Sequence, residues 1–409
     1  MNNFSKLILG SAATVAFLCA CSGGQQATPE LTASGLNPAD FDTCIAVSYD
    51  YATKTFVADT ANAKQVKLYT LKNASGMEVC ITNFGGRIVS IMVPNKDGKL
   101  VDVACGFDKV ENYFPWNFTT DYGCSVGRYA NRIDGGQYVL DGDTVKLDKN
   151  NNDHACLHGG FTGWQYQVYD VAESTDKSLT LKMVSPEGDN KFPGNLEATV
   201  RFELTDNNEI AITYDATSDK PTVINMTNHT YFNLSGDLNN TVDESVLYVN
   251  ADAFTPSADE FLIPTGEIKS VEGTVFDFRT PKKIGQDMNS ADDQLVKAGG
   301  GYDHNWVLNT KGNDKEIAVT MTDPRSGIKL DVYTNEPGIQ CYSANFQDGT
   351  CTGKGGVVYQ KHCAICLETQ KFPDSPNKYT MPGWELSDPF VTPEKPYHSY
   401  CKYAFSVEK

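Results

Sequence analysis

The sequence predicts an all-β chain, most simply one large antiparallel β-sandwich whose strands build a single concave face. Two observations carry this. From about Lys64 onward, short β-branched and aromatic runs alternate with turn signals almost without interruption. The chain is also rich in aromatics, with 20 Tyr, 20 Phe and 4 Trp, enough for a large core and a ligand surface.

The first segment reads as an address. Lys6 precedes an apolar run from Leu7 to Leu18, too short to span a bilayer as a permanent helix. It ends in Leu18-Cys19-Ala20-Cys21 and resembles a bacterial lipoprotein signal, which would lipidate Cys21 and release residues 1–20. Cys19 is unusual in such a box, so plain signal cleavage to a periplasmic protein is the rival. The expected product is exported and lipid-anchored to a bacterial membrane, with a water-soluble body. Residues 21–63 begin with Gln, Thr, Pro and Ser, which suits a tether or extension. Residues 64–409 read as one domain.

Within that domain the strands follow in order. Val89 to Val93 runs into the turn Asn95-Lys-Asp-Gly98. Tyr138 to Leu140, Asp141-Gly142 and Thr144 to Leu147 form a hairpin. Val200, Phe202 and Leu204 alternate; Asp206-Asn-Asn208 then turns the chain into Ile210, Ile212 and Tyr214. Ile317 to Met321 and Lys329 to Tyr333 continue the pattern. Pro281 to Gly299 reads as the one helix, anchored by Ile284, Met288 and Leu295.

The net charge of −18 excludes a phosphate-backbone partner, because no basic field would attract one. Charge also favours a monomer. No P-loop, Gly-rich dinucleotide turn or zinc-spaced His and Cys set is present. Ten cysteines lie beyond the address segment, scattered through apolar runs. Cys363-Ala-Ile-Cys366 has redox spacing but sits in a strand-like run without the helix such a motif requires, so it reads as structural.

Three stretches carry chemistry. Asn225 to Leu234, read as a strand, puts Asn225, Thr227, His229, Tyr231 and Asn233 on one face. These are hydrogen-bonding groups of little charge, suited to a neutral polar ligand, around a histidine that titrates near neutrality. A satisfied core histidine explains His229 equally well. Gly127-Arg-Tyr-Ala-Asn-Arg132 offers two guanidiniums and an amide, either to fix hydroxyls or as a structural fork. Glu368 follows mostly apolar residues, where desolvation would make it a better base; taken alone, an exposed strand-end glutamate is the plainer reading.

Together these pieces resemble the aldose 1-epimerase (galactose mutarotase) family. The resemblance runs from about Leu68 to the C-terminus. Its landmarks are Gly127 to Ile133, Leu157-His-Gly-Gly160, Thr227 to Leu234, Gly301-Tyr-Asp-His304, Glu336-Pro-Gly338 and Cys366-Leu-Glu-Thr-Gln370. It implies the family's galactose mutarotase-like supersandwich and an isomerase that interconverts the α and β anomers of free hexoses. By position it implies His229 as general acid and Glu368 as general base. It implies Asn131, Arg132, His158, Asp303 and Glu336 as sugar contacts. Trp164 and Tyr231 are candidates for an aromatic wall, and Asp303 for raising the histidine's pKa. No cofactor is needed for the chemistry; calcium is implied only by some relatives. The alternatives are a non-catalytic sugar-binding lipoprotein, or an epimerase of another sugar on the same fold.

Overall fold

The protein, seen in a computed structural model, is described over residues 30–118 and 121–408. The expected address segment and Cys21 lie outside the described residues. The chain is dominated by antiparallel strands, as the sequence predicts. A nine-stranded sheet runs in the order 170–174, 178–185, 196–204, 209–218, 397–407, 328–334, 319–322, 246–249 and 282–283. A six-stranded sheet runs in the order 231–232, 365–370, 338–342, 303–308, 251–255 and 269–270. A four-stranded sheet, 68–102, flanks them.

Alternation explains why the two large sheets pack. In the long sheet Val200, Phe202 and Leu204 point inward with Ile210, Ile212 and Tyr214, and Phe202 pairs directly with Ile212. In the six-stranded sheet Phe232, Trp306, Ile339, Cys341, Ile365 and Leu367 belong to that same buried cluster. Tyr403 of the long sheet donates its hydroxyl proton to the Leu367 carbonyl across the interface. Since successive strand residues point to opposite faces, Asp303, Asn305, Gln340, Tyr342, Cys366, Glu368 and Gln370 fall on the other face. The core packing of one face thereby fixes a polar row on the opposite one.

Three expectations need correction. Pro281 to Gly299 forms two short helical turns, Gly285–Met288 and Asp293–Lys297, because Asp292 caps the second by accepting the Gln294 N–H. Ile284, Met288 and Leu295 are nevertheless fully buried. Asn225 to Leu234 is not one strand: Thr227–Asn228 and Tyr231–Phe232 form two short strands in different sheets, and Asn225 makes an isolated bridge to Tyr129. Finally, the extension is no free tether from residue 30 onward. Leu36, Phe41 and Val47 are buried in a second apolar cluster, and Thr43–Ile45 pairs with Lys64–Val66. Strands Val47–Asp50 and Thr55–Ala58 form a hairpin held by Tyr49, whose ring stacks on Phe161 at 4.0 Å and 4°.

The hairpin predicted over Tyr138 to Leu147 is present, its strands spanning 137–140 and 143–146, and its turn residues Asp141 and Gly142 take the positive φ that such a turn requires. All ten cysteines among the described residues are free, nine of them buried. Cys363 and Cys366 are buried with the rest, in keeping with a structural role.

Candidate active site

The site forms on the polar face of the six-stranded sheet. Glu368 lies midway along strand Ile365–Gln370 and is 2% exposed. Its direct cross-strand partner is Gln340, whose own neighbour is Asn305. Gln340 donates from Nε2 to Asp303 Oδ1 at 2.6 Å, leaving its buried Oε1 without a partner. The Arg132 guanidinium approaches Asp303 from the other side at 3.8 Å.

His229 sits at the bend between the two short paired segments. Its backbone is bracketed twice: its N–H donates to the Cys124 carbonyl, and its carbonyl accepts from Gly123 N–H, both at 2.9 Å. The bend turns its ring into the cleft, where Nε2 lies 3.5 Å from Glu368 Oε1. Tyr231 stacks beside the ring at 5.2 Å, and His158 meets it edge-on at 5.3 Å. The remaining atoms of the pair, His229 Nδ1 and Glu368 Oε2, have no protein partner. Two buried, hydrogen-bonding atoms left open in this way are what a polar ligand would satisfy.

Asn131, Arg132 and His158 arrive on a small ladder in which Arg132 pairs with Leu157. Asn131 and His158 both adopt left-handed φ values, 63° and 49°. Such conformations in non-glycine residues concentrate at functional sites. Glycines let the two segments cross beneath: a Cβ on Gly159 would collide with the Gly127 carbonyl, and one on Gly127 with the Trp164 ring. The Asn131 backbone N–H donates to His158 Nδ1 at 3.2 Å. In the neutral ring that leaves the proton on Nε2, and burial holds His158 neutral by pushing its pKa down to about 3.

Burial also raises the Glu368 pKa well above the ordinary carboxyl range, with the Asp303 and Asp121 charges adding to the rise. It lowers that of His229, and the upward pulls of Asp121 and Asp303 do not cancel the desolvation. Asp303 does pull the His229 pKa upward, as the sequence suggested, but desolvation is the larger effect and sets the net direction. The two shifts run toward each other. Both shifts have one cause, since burial penalises the carboxylate and the imidazolium alike.

Of the residues singled out in the sequence, the structure brings together His229, Glu368, Asn131, Arg132, His158, Asp303 and Tyr231. Glu336 is not among them. Its carboxylate is closed by Lys371 at 3.0 Å and by the Tyr397 hydroxyl at 3.1 Å, at the end of strand Gly338–Tyr342. Trp164 is buried in the core against Gly127 and forms no wall. Arg128 is a structural fork, donating to Ser185 and to the carbonyls of Pro193 and Gly194. Asn225 and Asn233 likewise clamp backbone carbonyls. Two residues escaped the sequence reading. Gln340 is a lone amide in the strand Gly-Ile-Gln-Cys-Tyr, a signal that strand alternation makes visible. Asp121, on a loop, carries no signal of its own.

Among the described residues one trio of metal-type side chains converges: Asp121, His158 and His229, with ligand atoms within 4.8 Å of one another. Calcium takes six to eight oxygens, and this trio offers two imidazoles. The His158 ring spends its one lone pair on Asn131 N–H. These residues do not fit the ion.

A family model described as aldose 1-epimerase matches residues 67–397. An aldose 1-epimerase from Escherichia coli K12 is 39% identical over 84% of this chain and 96% of its own length. A galactose mutarotase from Bos taurus is 37% identical over 81% of this chain and 92% of its own. In three dimensions, a solved aldose epimerase homologue from C. elegans matches with a TM-score of 0.76 and 30% identity, covering 84% of this chain and 100% of its own. A galactose 1-epimerase from Lactobacillus acidophilus matches with a TM-score of 0.73 and 29% identity, over 86% and 97%.

Proposed function

The chain belongs to the aldose 1-epimerase family, and from that premise we propose how its own residues carry the reaction. It is an isomerase that interconverts the α and β anomers of free hexoses such as galactose and glucose. The observation that carries the mechanism is the buried His229–Glu368 pair, 3.5 Å apart with one open atom on each partner.

Anomer exchange opens the hemiacetal and closes it on the other face of C1. Glu368 takes the proton of the C1 hydroxyl as the C1–O5 bond breaks, and protonated His229 delivers a proton to the ring oxygen. The electron pair left on O1 becomes the aldehyde carbonyl. Rotation about C1–C2 presents the opposite carbonyl face. The two residues then exchange roles: protonated Glu368 returns its proton to the carbonyl oxygen, and neutral His229 removes the O5 proton as the ring closes. Each proton ends where it began, so no redox partner or metal enters the balance.

Holding the open chain is the second task. Arg132 and the His158 Nε2–H supply donors; Asp303 and Gln340 Oε1 supply acceptors. Donors and acceptors spread around a sugar keep C2 to C6 fixed while C1 turns.

We further propose an exported monomer, anchored through lipid on Cys21. The Lys6 to Cys21 pattern and the self-repelling charge of −18 support this. Labelling with a radioactive fatty acid that marks the parent and spares Cys21→Ser is the expected result.

Polarimetry on freshly dissolved α-D-galactose and α-D-glucose tests the catalytic reading. Rapid mutarotation by the parent and its near-total loss in His229→Ala and Glu368→Ala are expected. Binding of sugar without acceleration by the folded parent would sink the reading and favour a sugar-binding protein.

A further inference from the structure

We propose that the N-terminal hairpin builds a second sugar subsite beside the reaction centre, so that this chain prefers disaccharides, bound by their reducing end, over free hexoses. The proposal rests on the aldose 1-epimerase reading. The family match begins at residue 67, so the hairpin strands Val47–Asp50 and Thr55–Ala58 precede it altogether. The C. elegans homologue is covered along its whole length by 84% of this chain, which leaves room for such an addition.

The hairpin is docked and not loose. Tyr49 stacks on Phe161, and the Tyr51 hydroxyl donates to Asp148 at 2.6 Å. This fixes Phe56, whose ring meets Tyr166 edge-on at 5.6 Å. Phe56 then forms one wall of a 310 Å³ cavity whose other walls include His158 and Asp121. The cavity therefore opens directly onto residues that border His229. A 480 Å³ hollow shares Asn150 and Phe161 with it and continues outward past Tyr49 and Tyr51.

The lining matches a neutral sugar. Phe56, Phe161 and Tyr166 offer aromatic surface for the C–H faces of a pyranose. Two acceptors at the cavity, Asp121 Oδ1 and Gln165 Oε1, have no hydrogen-bond partner, and Gln165 is only 3% exposed. Unpaired buried acceptors call for hydroxyl donors. The Asp121 carboxylate disfavours a phosphate within the inner cavity, while Lys54 and Lys149 line the outer hollow.

The test compares α-lactose with α-D-glucose, which share the same reacting glucose unit. Polarimetric KM and kcat are measured for the parent, Phe56→Ala and Phe56→Tyr, alongside intrinsic-fluorescence titrations with both sugars. The parent is expected to show the lower KM and the tighter binding for lactose. Phe56→Ala should raise the lactose KM by about 5–10-fold with little change in kcat, leave the glucose KM within about twofold, and Phe56→Tyr should restore it. An equal shift for both sugars means Phe56 only supports the fold, and overturns the subsite. So does a parent that handles lactose no better than glucose. Failure to turn over glucose overturns the catalytic reading instead, and the titrations still decide whether the hairpin binds the second sugar unit.

Discussion

His229 Nε2 lies 3.5 Å from Glu368 Oε1, and the far atom of each side chain, Nδ1 and Oε2, faces no protein partner. The pair is buried, yet each member keeps one open position. That combination suits an acid and a base that work on one ligand and trade roles. Replacing either should lower kcat by about 10²–10⁴-fold, the usual worth of a positioned acid or base. His229→Ala combined with Glu368→Gln should be scarcely worse than the poorer single variant, since the two act as a unit. Fully additive losses in polarimetric kcat would count against a coupled pair.

The opposed shifts of this pair predict the pH profile. Activity needs one proton on the pair. Desolvation lowers His229, so the pair resists a second proton, and the acid limb of kcat/KM should fall below pH 6.5. Desolvation raises Glu368, which holds the last proton longer and extends the plateau upward. Asp303→Asn removes a charge that lifts both groups. Its profile should move bodily to lower pH, with a raised KM from the lost Gln340 and Arg132 contacts.

Much of this was legible in the sequence, and the failures have physical causes. Strand character and the buried alternation at Val200 to Tyr214 follow from side-chain period alone. His229, Arg132 and Glu368 stood out as polar groups in the wrong company. Glu336 was implied by a family landmark and not by any local pattern, and a landmark does not show that Lys371 and Tyr397 take up its carboxylate. Asp121 was invisible because a loop carries no periodicity. The docked hairpin was hidden by composition: its polar residues resemble a linker, while a few aromatics, Phe41, Tyr49 and Phe56, do the anchoring.

Stability should depend on pH in two opposite ways. His158 and His304 are both pushed down to about 3 by burial. The unfolded chain therefore binds more protons as pH falls from 6.5 toward 3, and each group costs about 1.4 kcal/mol per pH unit there. His304→Asn, which keeps an acceptor for the Asp303 N–H, should flatten the decline of the melting temperature between pH 6 and 4. Glu368 acts in reverse, since its raised pKa removes stability as pH rises through it. Glu368→Gln should melt about 2 °C or more above the parent at pH 8 and converge with it in acid. A lower melting point for that variant at pH 8 would refute the burial penalty.

Two arginines four residues apart separate folding from function. Arg128 is 2% exposed and spends its guanidinium on Ser185 and on the carbonyls of Pro193 and Gly194, so its charge is dispersed into backbone dipoles. Among the described residues the Arg132 guanidinium reaches Asn131 and, at 3.8 Å, Asp303, and its buried Nε has no hydrogen-bond partner. Removing Arg128 strands several buried carbonyls; Arg128→Ala should cost about 3 kcal/mol or more in denaturant unfolding. Arg132→Ala strands little and should stay within about 1 kcal/mol of the parent. It should instead raise KM for galactose about tenfold, because a charge-assisted contact to the sugar is lost. If both variants lose the same stability, or Arg132→Ala keeps the parent KM, the division between fork and ligand contact is wrong.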